Sequence, residues 1–136
     1  MPCLDTTVLI DLAPRADPTR YNRAMAALAP LTAAGQMLCT TRLNVAELWV
    51  GVERSKDRSL ELSKVEAVLK GVPVLELDEA AARLFGVLQA HVLNIGRPAG
   101  DIDALIAAVA MANGQPLVTR NAAHFSNFPG LVVHSY

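Results

Sequence analysis

Apolar and polar positions in this chain alternate in two rhythms. Short apolar blocks are separated by longer stretches whose apolar residues recur every three or four positions. Glycine, proline or a short polar side chain marks most changeovers. Pro2 to Leu4 reads as a first strand, and Thr6 to Leu12 as a helix that Pro14 ends. Asp17-Pro18 is an N-cap followed by proline at the first helical position, and that helix runs to about Ala34, before Gly35. Met37 to Cys39 is a second strand. Thr40 or Thr41 caps the next helix, where Leu43, Ala46, Leu48 and Val50 supply apolar spacing as far as Arg54. After the charged break Ser55-Lys56-Asp57-Arg58, another helix extends to Lys70 and stops at Gly71. Val72 to Leu77 is a third strand, Asp78 caps a helix to about Ile95, and Gly96 to Gly100 is a loop. Asp101 is expected to cap a helix that ends at Asn113-Gly114. Pro116 to Val118 is a fourth strand, Ala122 to Phe125 a short helical turn, and Leu131 to His134 a last strand.

Strands that alternate with helices imply a mostly parallel sheet, here of four to five strands, with helices on both faces. The 136 residues are expected to form a single α/β domain of three layers, α/β/α, spanning residues 1–136. In such sheets ligands bind beyond the carboxyl ends of the strands. Residues just after a strand lie on that edge. So do the first residues of a helix that feeds the next strand, because helices run antiparallel to strands.

Composition narrows the picture. Hydrophobic residues make up 52% of the chain and aromatics only 4%, so the core must be built from Ala, Leu and Val. That suits α/β packing and argues against a base-stacking platform for single-stranded nucleic acid. The net charge of −1 means that any nucleic-acid contact relies on local basic groups. Cys3 and Cys39 fall in predicted strands without CxxC spacing and read as buried apolar thiols. His91, His124 and His134 lack the spacing of a zinc site, and His124 is expected to pack or cap locally. No apolar run reaches the ~20 residues that span a bilayer, and no basic segment precedes an apolar stretch at the start. A cytoplasmic protein without membrane contact is expected.

Four acidic side chains stand where the sheet edge would collect them: Asp5 after the first strand, Glu47 early in a helix, and Asp101 and Asp103 at the start of another. Ionised carboxylates ~5 Å apart repel by about 3 kcal/mol per pair at an effective dielectric of 20. Bringing them together requires protons or a hard cation with oxygen ligands. Asp5, Asp101 and Asp103 could instead serve as helix caps or first-turn acids. Glu47 caps nothing. It sits in the apolar stretch Leu43 to Val50, with Arg42 and Arg54 off the i+4 spacing. Asp101 and Asp103 point ~200° apart on a continuous helix, so both face one site only if Asp101 is at the non-helical cap. Asp103 therefore ranks above Asp101 as a direct ligand. Replacing Asp5 or Asp103 by asparagine is expected to remove a repelling charge and leave the fold intact or more stable.

The runs Leu4-Asp5-Thr6-Thr7-Val8-Leu9-Ile10-Asp11, Asn44-Val45-Ala46-Glu47-Leu48, Asp101-Ile102-Asp103-Ala104-Leu105-Ile106-Ala107-Ala108 and Leu117-Val118-Thr119-Arg120-Asn121 occur in this order, followed by Phe125. Together they resemble the PIN-domain family, in particular VapC-type ribonuclease toxins of type II toxin–antitoxin pairs, over nearly the whole chain. The resemblance implies an endoribonuclease dependent on Mg2+ or Mn2+, with one or two ions held by Asp5, Glu47, Asp103 and Asp101. It also implies a cognate antitoxin and a homodimer, for which the helices around Trp49 and from Ala80 to Val92 offer apolar faces. Many family members carry aspartate where this chain has Asn121, which leaves the second ion open. Thr6 and Thr119 are placed to orient ligands, and Asn121 to contact a phosphate or a metal-bound water. Arg42, Arg97 and Arg120 lie near the active edge and could meet RNA phosphates, with recognition through backbone and shape.

Two rival readings remain open at this stage. A PIN-like module that binds RNA or protein without cutting is kept alive by Asn121 and opposed by the complete Asp5, Glu47 and Asp103 set. A phosphatase or dehalogenase using Asp5 as nucleophile needs a second acid two residues on, where Thr7 stands, and a nearby lysine that is missing. Nucleotide binding is excluded by the lack of GxGxxG and Walker motifs.

Overall fold

The structure, a computed structural model, describes residues 1–136. Five strands are present: β1 (Cys3–Leu4), β2 (Cys39–Thr41), β3 (Val74–Leu75), β4 (Leu117–Thr119) and β5 (Val133–Ser135). Six helices accompany them: α1 (Thr6–Leu12), α2 (Pro18–Ala33), α3 (Arg42–Arg54), α4 (Arg58–Leu69), α5 (Glu79–Asn94) and α6 (Asp101–Ala112). A 3-10 turn over Ala122–His124 follows β4. The strands form one sheet in the order β3-β2-β1-β4-β5, and every neighbouring pair is parallel.

The strands are shorter than their apolar runs, and three are shifted toward the carboxyl end. β2 starts at Cys39 instead of Met37, and β4 and β5 each extend one residue further than expected. The cause lies in pairing. Thr40 pairs with Leu4 and Val74, and Thr119 with Ser135, so polar threonines at the strand ends are drawn into the ladder. Val72 and Pro73 precede β3 as irregular chain.

Alternation along strands of two or three residues splits the core between the two faces of the sheet. Cys3, Cys39 and Leu117 point to one side, where Leu88 and Val92 of α5, the alanines of α6, Phe125 and Phe128 cover them. Leu4 and Val118 point to the other, against Val8, Leu9, Leu28, Leu48, Val52 and Val65. The result is the expected three-layer α/β/α arrangement, with six buried alanine and aliphatic positions on α6 letting that helix lie close to the sheet. Cys3 and Cys39 are free, buried and side by side in register. Phe85 packs against the first cluster, whereas Trp49 is 40% exposed.

β1 is the middle strand. The chain leaves it for β2 and β3 on one side, then crosses through α5 and α6 to β4 on the other. The strand order therefore reverses between β1 and β4, and a crevice opens beyond their carboxyl ends. Asp5 directly follows β1, and Arg120 and Asn121 directly follow β4, so they flank that crevice.

Candidate active site

Asp5 is the hub. It is 5% exposed and occupies the N-cap position of α1, yet its side chain makes no capping bond. Oδ1 instead accepts from Asn44 Nδ2 at 3.1 Å. Oδ2 accepts from Thr119 Oγ1 at 2.8 Å and from Thr7 Oγ1 at 3.1 Å. The capping alternative for this acid is thereby replaced by a carboxylate clamped from two sides.

Asn44 explains the first side. It is fully buried at the third position of α3 and forms a reciprocal capping box with Thr41. Asn44 Oδ1 accepts from the Thr41 backbone N–H at 3.3 Å and from Thr41 Oγ1 at 2.7 Å. Its NH2 group must therefore face the other way, toward Asp5 Oδ1 and toward Thr6 Oγ1 at 3.0 Å. Thr6 passes the order on by donating to Glu47 Oε1 at 2.8 Å. Glu47 lies three residues after Asn44 on the same face of α3, and it makes no ion pair with Arg42 or Arg54. Burial is the main influence that raises its carboxyl above the usual range. The Thr6 bond opposes this, and the nearby charges of Asp5 and Asp103 add to it.

Asp103 enters from the other helical layer. Its side chain is 25% exposed, and Oδ2 lies 3.3 Å from His124 Nδ1. Burial raises its carboxyl as well, His124 lowers it, and Asp5 raises it further. The charge of Asp5 thus reaches both Glu47 and Asp103, and that of Asp103 reaches Glu47.

Asp101 does not join them. Gly100 is the N-cap of α6, with φ −61° and ψ 145°, so Asp101 is already helical and caps nothing. The ~200° divergence between positions two apart then applies. Asp101 is exposed, and its Oδ1 accepts from Gln89 Nε2 of α5 at 2.8 Å. The three arginines also separate. Arg42 is tied to Glu76 on the exposed surface. Arg120 turns to buried Asp11, Nε to Oδ2 at 2.9 Å, rather than outward toward a phosphate. Arg97 alone lines an open groove of about 460 Å3 beside Asp103, together with Gly100, His124 and Asn127. Asn121 sits at the mouth of the crevice, where its backbone N–H donates to Thr119 Oγ1 at 3.0 Å.

Asn44, Thr7 and His124 hold positions at the site that the sequence pattern did not assign to them. Asn44 carried a signal, since it stands one helical turn before Glu47 and three residues after a threonine cap. His124 is not a local cap. It reaches Asp103 because the 3-10 turn after β4 curls back over the start of α6, which no local pattern announces.

The donor chemistry fits a hard divalent cation. All three acids offer oxygen, no thiol takes part, and two of the carboxyls are raised above their usual range, first by burial and further by neighbouring acid charges. No group of three His, Cys, Asp or Glu side chains is gathered tightly enough to hold an ion by itself. A cation bound here would complete its ligands with waters or substrate phosphates.

A parallel sheet of order 3-2-1-4-5 with acids converging beyond β1 and β4 defines a class of domain, and the chain belongs to the PIN domain family, which it matches over residues 3–131. Within that family its relatives are ribonucleases. Ribonuclease VapC19 of Mycobacterium tuberculosis is 34% identical over 131 residues, covering 96% of this chain and 97% of that one. The tRNA(fMet)-specific endonuclease VapC of Shigella flexneri is 33% identical over 94 residues, 69% of this chain and 71% of that protein. Among solved structures, VapBC2 from Rickettsia felis bound to a promoter DNA fragment is similar with a TM-score of 0.85 and 25% identity, covering 98% of this chain and 97% of that one. DNA-bound VapBC from Salmonella typhimurium is similar with a TM-score of 0.81 and 26% identity, covering 99% and 98%. No helix is long and apolar enough to cross a membrane.

Proposed function

We propose that this chain is a divalent-metal-dependent endoribonuclease and the toxin of a toxin–antitoxin pair. What supports the proposal is Asp5 and Glu47, bridged through Asn44 and Thr6 beyond β1, with Asp103 of α6 near enough for the charge of Asp5 to act on its carboxyl and for its own to act on that of Glu47. Asp5 and Asp103 would hold a Mg2+ or Mn2+ ion, with Glu47 acting through a water. Such an ion lowers the pKa of a bound water and neutralises charge on the phosphate under attack. The chain's own contribution is placement. Asn44, Thr7 and Thr119 fix both oxygens of Asp5, and Thr6 aims Glu47. Asn121, a neutral group, suits contact with a phosphate oxygen better than a second ion. Arg97, His124 and Asn127 line the groove that leads away from Asp103, which suits an RNA backbone.

Resemblance to the VapBC complexes supports an antitoxin partner. Exposed Trp49 and Val50 on α3, with Val87 and Leu93 on α5, support a homodimer. Sedimentation velocity on the parent and on Val87→Glu tests the dimer, which the charged variant is expected to split. The nuclease test is incubation with mixed RNA in Mg2+, Mn2+ or EDTA, beside Asp103→Asn. Cation-dependent cutting that the variant lacks is expected. Cutting that survives EDTA, or that the variant retains, would overturn the assignment. A folded protein that binds Mn2+ and RNA but never cuts would favour the non-cleaving binding module.

A further inference from the structure

Asp11 is a carboxylate with 2% side-chain exposure, one turn beyond Thr7 on α1, and the site described above does not use it. Two donors meet on its Oδ2: Arg120 Nε at 2.9 Å and the Tyr136 hydroxyl at 2.8 Å. Burial, and then Asp11 itself, push the Tyr136 phenol well above its usual range, so it remains a donor. Thr7 and Asp11 are four residues apart and share a face of α1. Arg120 grips both, with its side chain on Asp11 and its backbone N–H on Thr7 Oγ1 at 3.1 Å.

The second contact has a consequence for Asp5. A threonine hydroxyl has one proton and two acceptor positions. The Arg120 N–H occupies an acceptor position on Thr7, and the Asn121 N–H occupies one on Thr119 at 3.0 Å. With those positions filled, both hydroxyls donate to Asp5 Oδ2, which lies closer to each of them than the 3.4 Å between the two oxygens themselves. Both amides belong to the turn that leaves β4, and β5 brings Tyr136 beside it through the pairing of Thr119 with Ser135. A buried ion pair of this kind adds little net stability compared with apolar packing, but it fixes geometry.

We infer that Arg120 is a positioning residue: anchored by Asp11 and Tyr136, it locks the turn after β4 so that Thr7 and Thr119 present their hydroxyl protons to Asp5. It is not an RNA-phosphate ligand. The inference rests on the proposed cation-dependent nuclease but has a readout of its own. The test compares Arg120→Met and Tyr136→Phe with the parent for Mn2+ affinity by calorimetry, kcat and KM on a short RNA, and the salt dependence of RNA binding. Tyr136→Phe leaves the arginine charge in place and keeps the test alive if Arg120→Met fails to fold.

Arg120→Met is expected to weaken Mn2+ binding and lower kcat by about 10–100-fold, in line with other groups that orient metal ligands. KM and the salt slope should not change. Tyr136→Phe should move both quantities the same way by about threefold, the worth of one ordinary hydrogen bond. A raised KM and a salt slope reduced by about one in Arg120→Met, with Mn2+ affinity intact and Tyr136→Phe silent, would make Arg120 a phosphate contact and overturn the inference. So would two folded variants with parental Mn2+ affinity and kcat. If the parent binds Mn2+ but cuts no RNA, the nuclease reading fails, and the Mn2+ affinities still decide the role of Arg120.

Discussion

The two halves of the acidic site are built differently. On the α1 and α3 side, Asp5 is buried and has three donors, and Asn44 and Thr119 behind it are fully buried. On the α6 side, Asp103 is partly exposed, its partner His124 is 59% exposed, and both face the groove that also holds Arg97. The first half is a preformed anchor whose geometry is overdetermined by hydrogen bonds. The second can adjust to what enters the groove. A site that must take a cation with its waters and then a flexible RNA backbone gains from one fixed side and one adaptable side, because only the fixed side costs no reorganisation on binding.

The contrast is broken most sharply by making the same substitution on both sides. Asp5→Asn is expected to abolish cleavage and also to destabilise the cation-free fold by about 1–3 kcal/mol. With its oxygen toward the Asn44 NH2, a carboxamide turns its own NH2 toward Thr7 and Thr119, whose hydroxyls then lose the acceptor they now share and must rotate to accept instead. This revises the expectation, drawn from charge repulsion alone, that losing the Asp5 charge leaves the fold intact or more stable. Asp103→Asn should likewise abolish cleavage, yet leave the melting temperature of the EDTA-treated protein unchanged or raised. Thermal unfolding of the two variants side by side checks this, and equal losses of stability would remove the distinction between the halves.

Asn44→Leu comes next in size. The side chain keeps its branched shape, with greater bulk, but releases Thr41, Asp5 and Thr6 together. A fall in kcat of about 10–100-fold is expected, with a loss of about 1–3 kcal/mol for the donors and acceptors left buried and unpaired. Stopped-flow cleavage and urea titration measure the two. Asn44→Ser should restore little, because one hydroxyl cannot face both Thr41 and Asp5.

A smaller effect follows from the raised carboxyls of Glu47 and Asp103. Their folded state holds protons more tightly than the unfolded chain does. Their contribution to stability is thus fully present below the unfolded carboxylate range and is lost as pH rises through the raised folded values. Without a cation, the parent should therefore lose stability relative to the double variant Glu47→Gln/Asp103→Asn as pH rises past the ordinary carboxylate range. Saturating Mn2+ should stabilise the parent at neutral pH and not the variant. Melting curves from acid to neutral pH in EDTA and in Mn2+ show whether the difference has this sign. The smallest effect belongs to the groove. Arg97→Ala should raise KM several-fold, leave kcat and stability unchanged, and lower the salt slope by about one.

Much of this could be read from the chain alone. Alternation of apolar blocks with periodic stretches determined a three-layer parallel α/β domain, since a strand buried on both faces must be apolar throughout and a helix covering it must be apolar on one side. Proline, glycine and the caps at Asp17, Thr41 and Asp78 set most boundaries, because cap chemistry is local, whereas Asp57, which caps α4, read only as part of a charged break. Glu47 betrayed itself as a charge in an apolar stretch. Tertiary structure decided the rest. Whether Asp101 caps or turns away depended on Gly100 taking the cap position, and Arg120 went to Asp11 because β5 carries Tyr136 alongside it. Asn44 and His124 acquired their roles from partners 39 and 21 positions away. Residue types and local periodicity fix which groups arrive at the edge of a sheet. Hydrogen-bond direction and helix rotation, set by packing between distant segments, fix which of them meet.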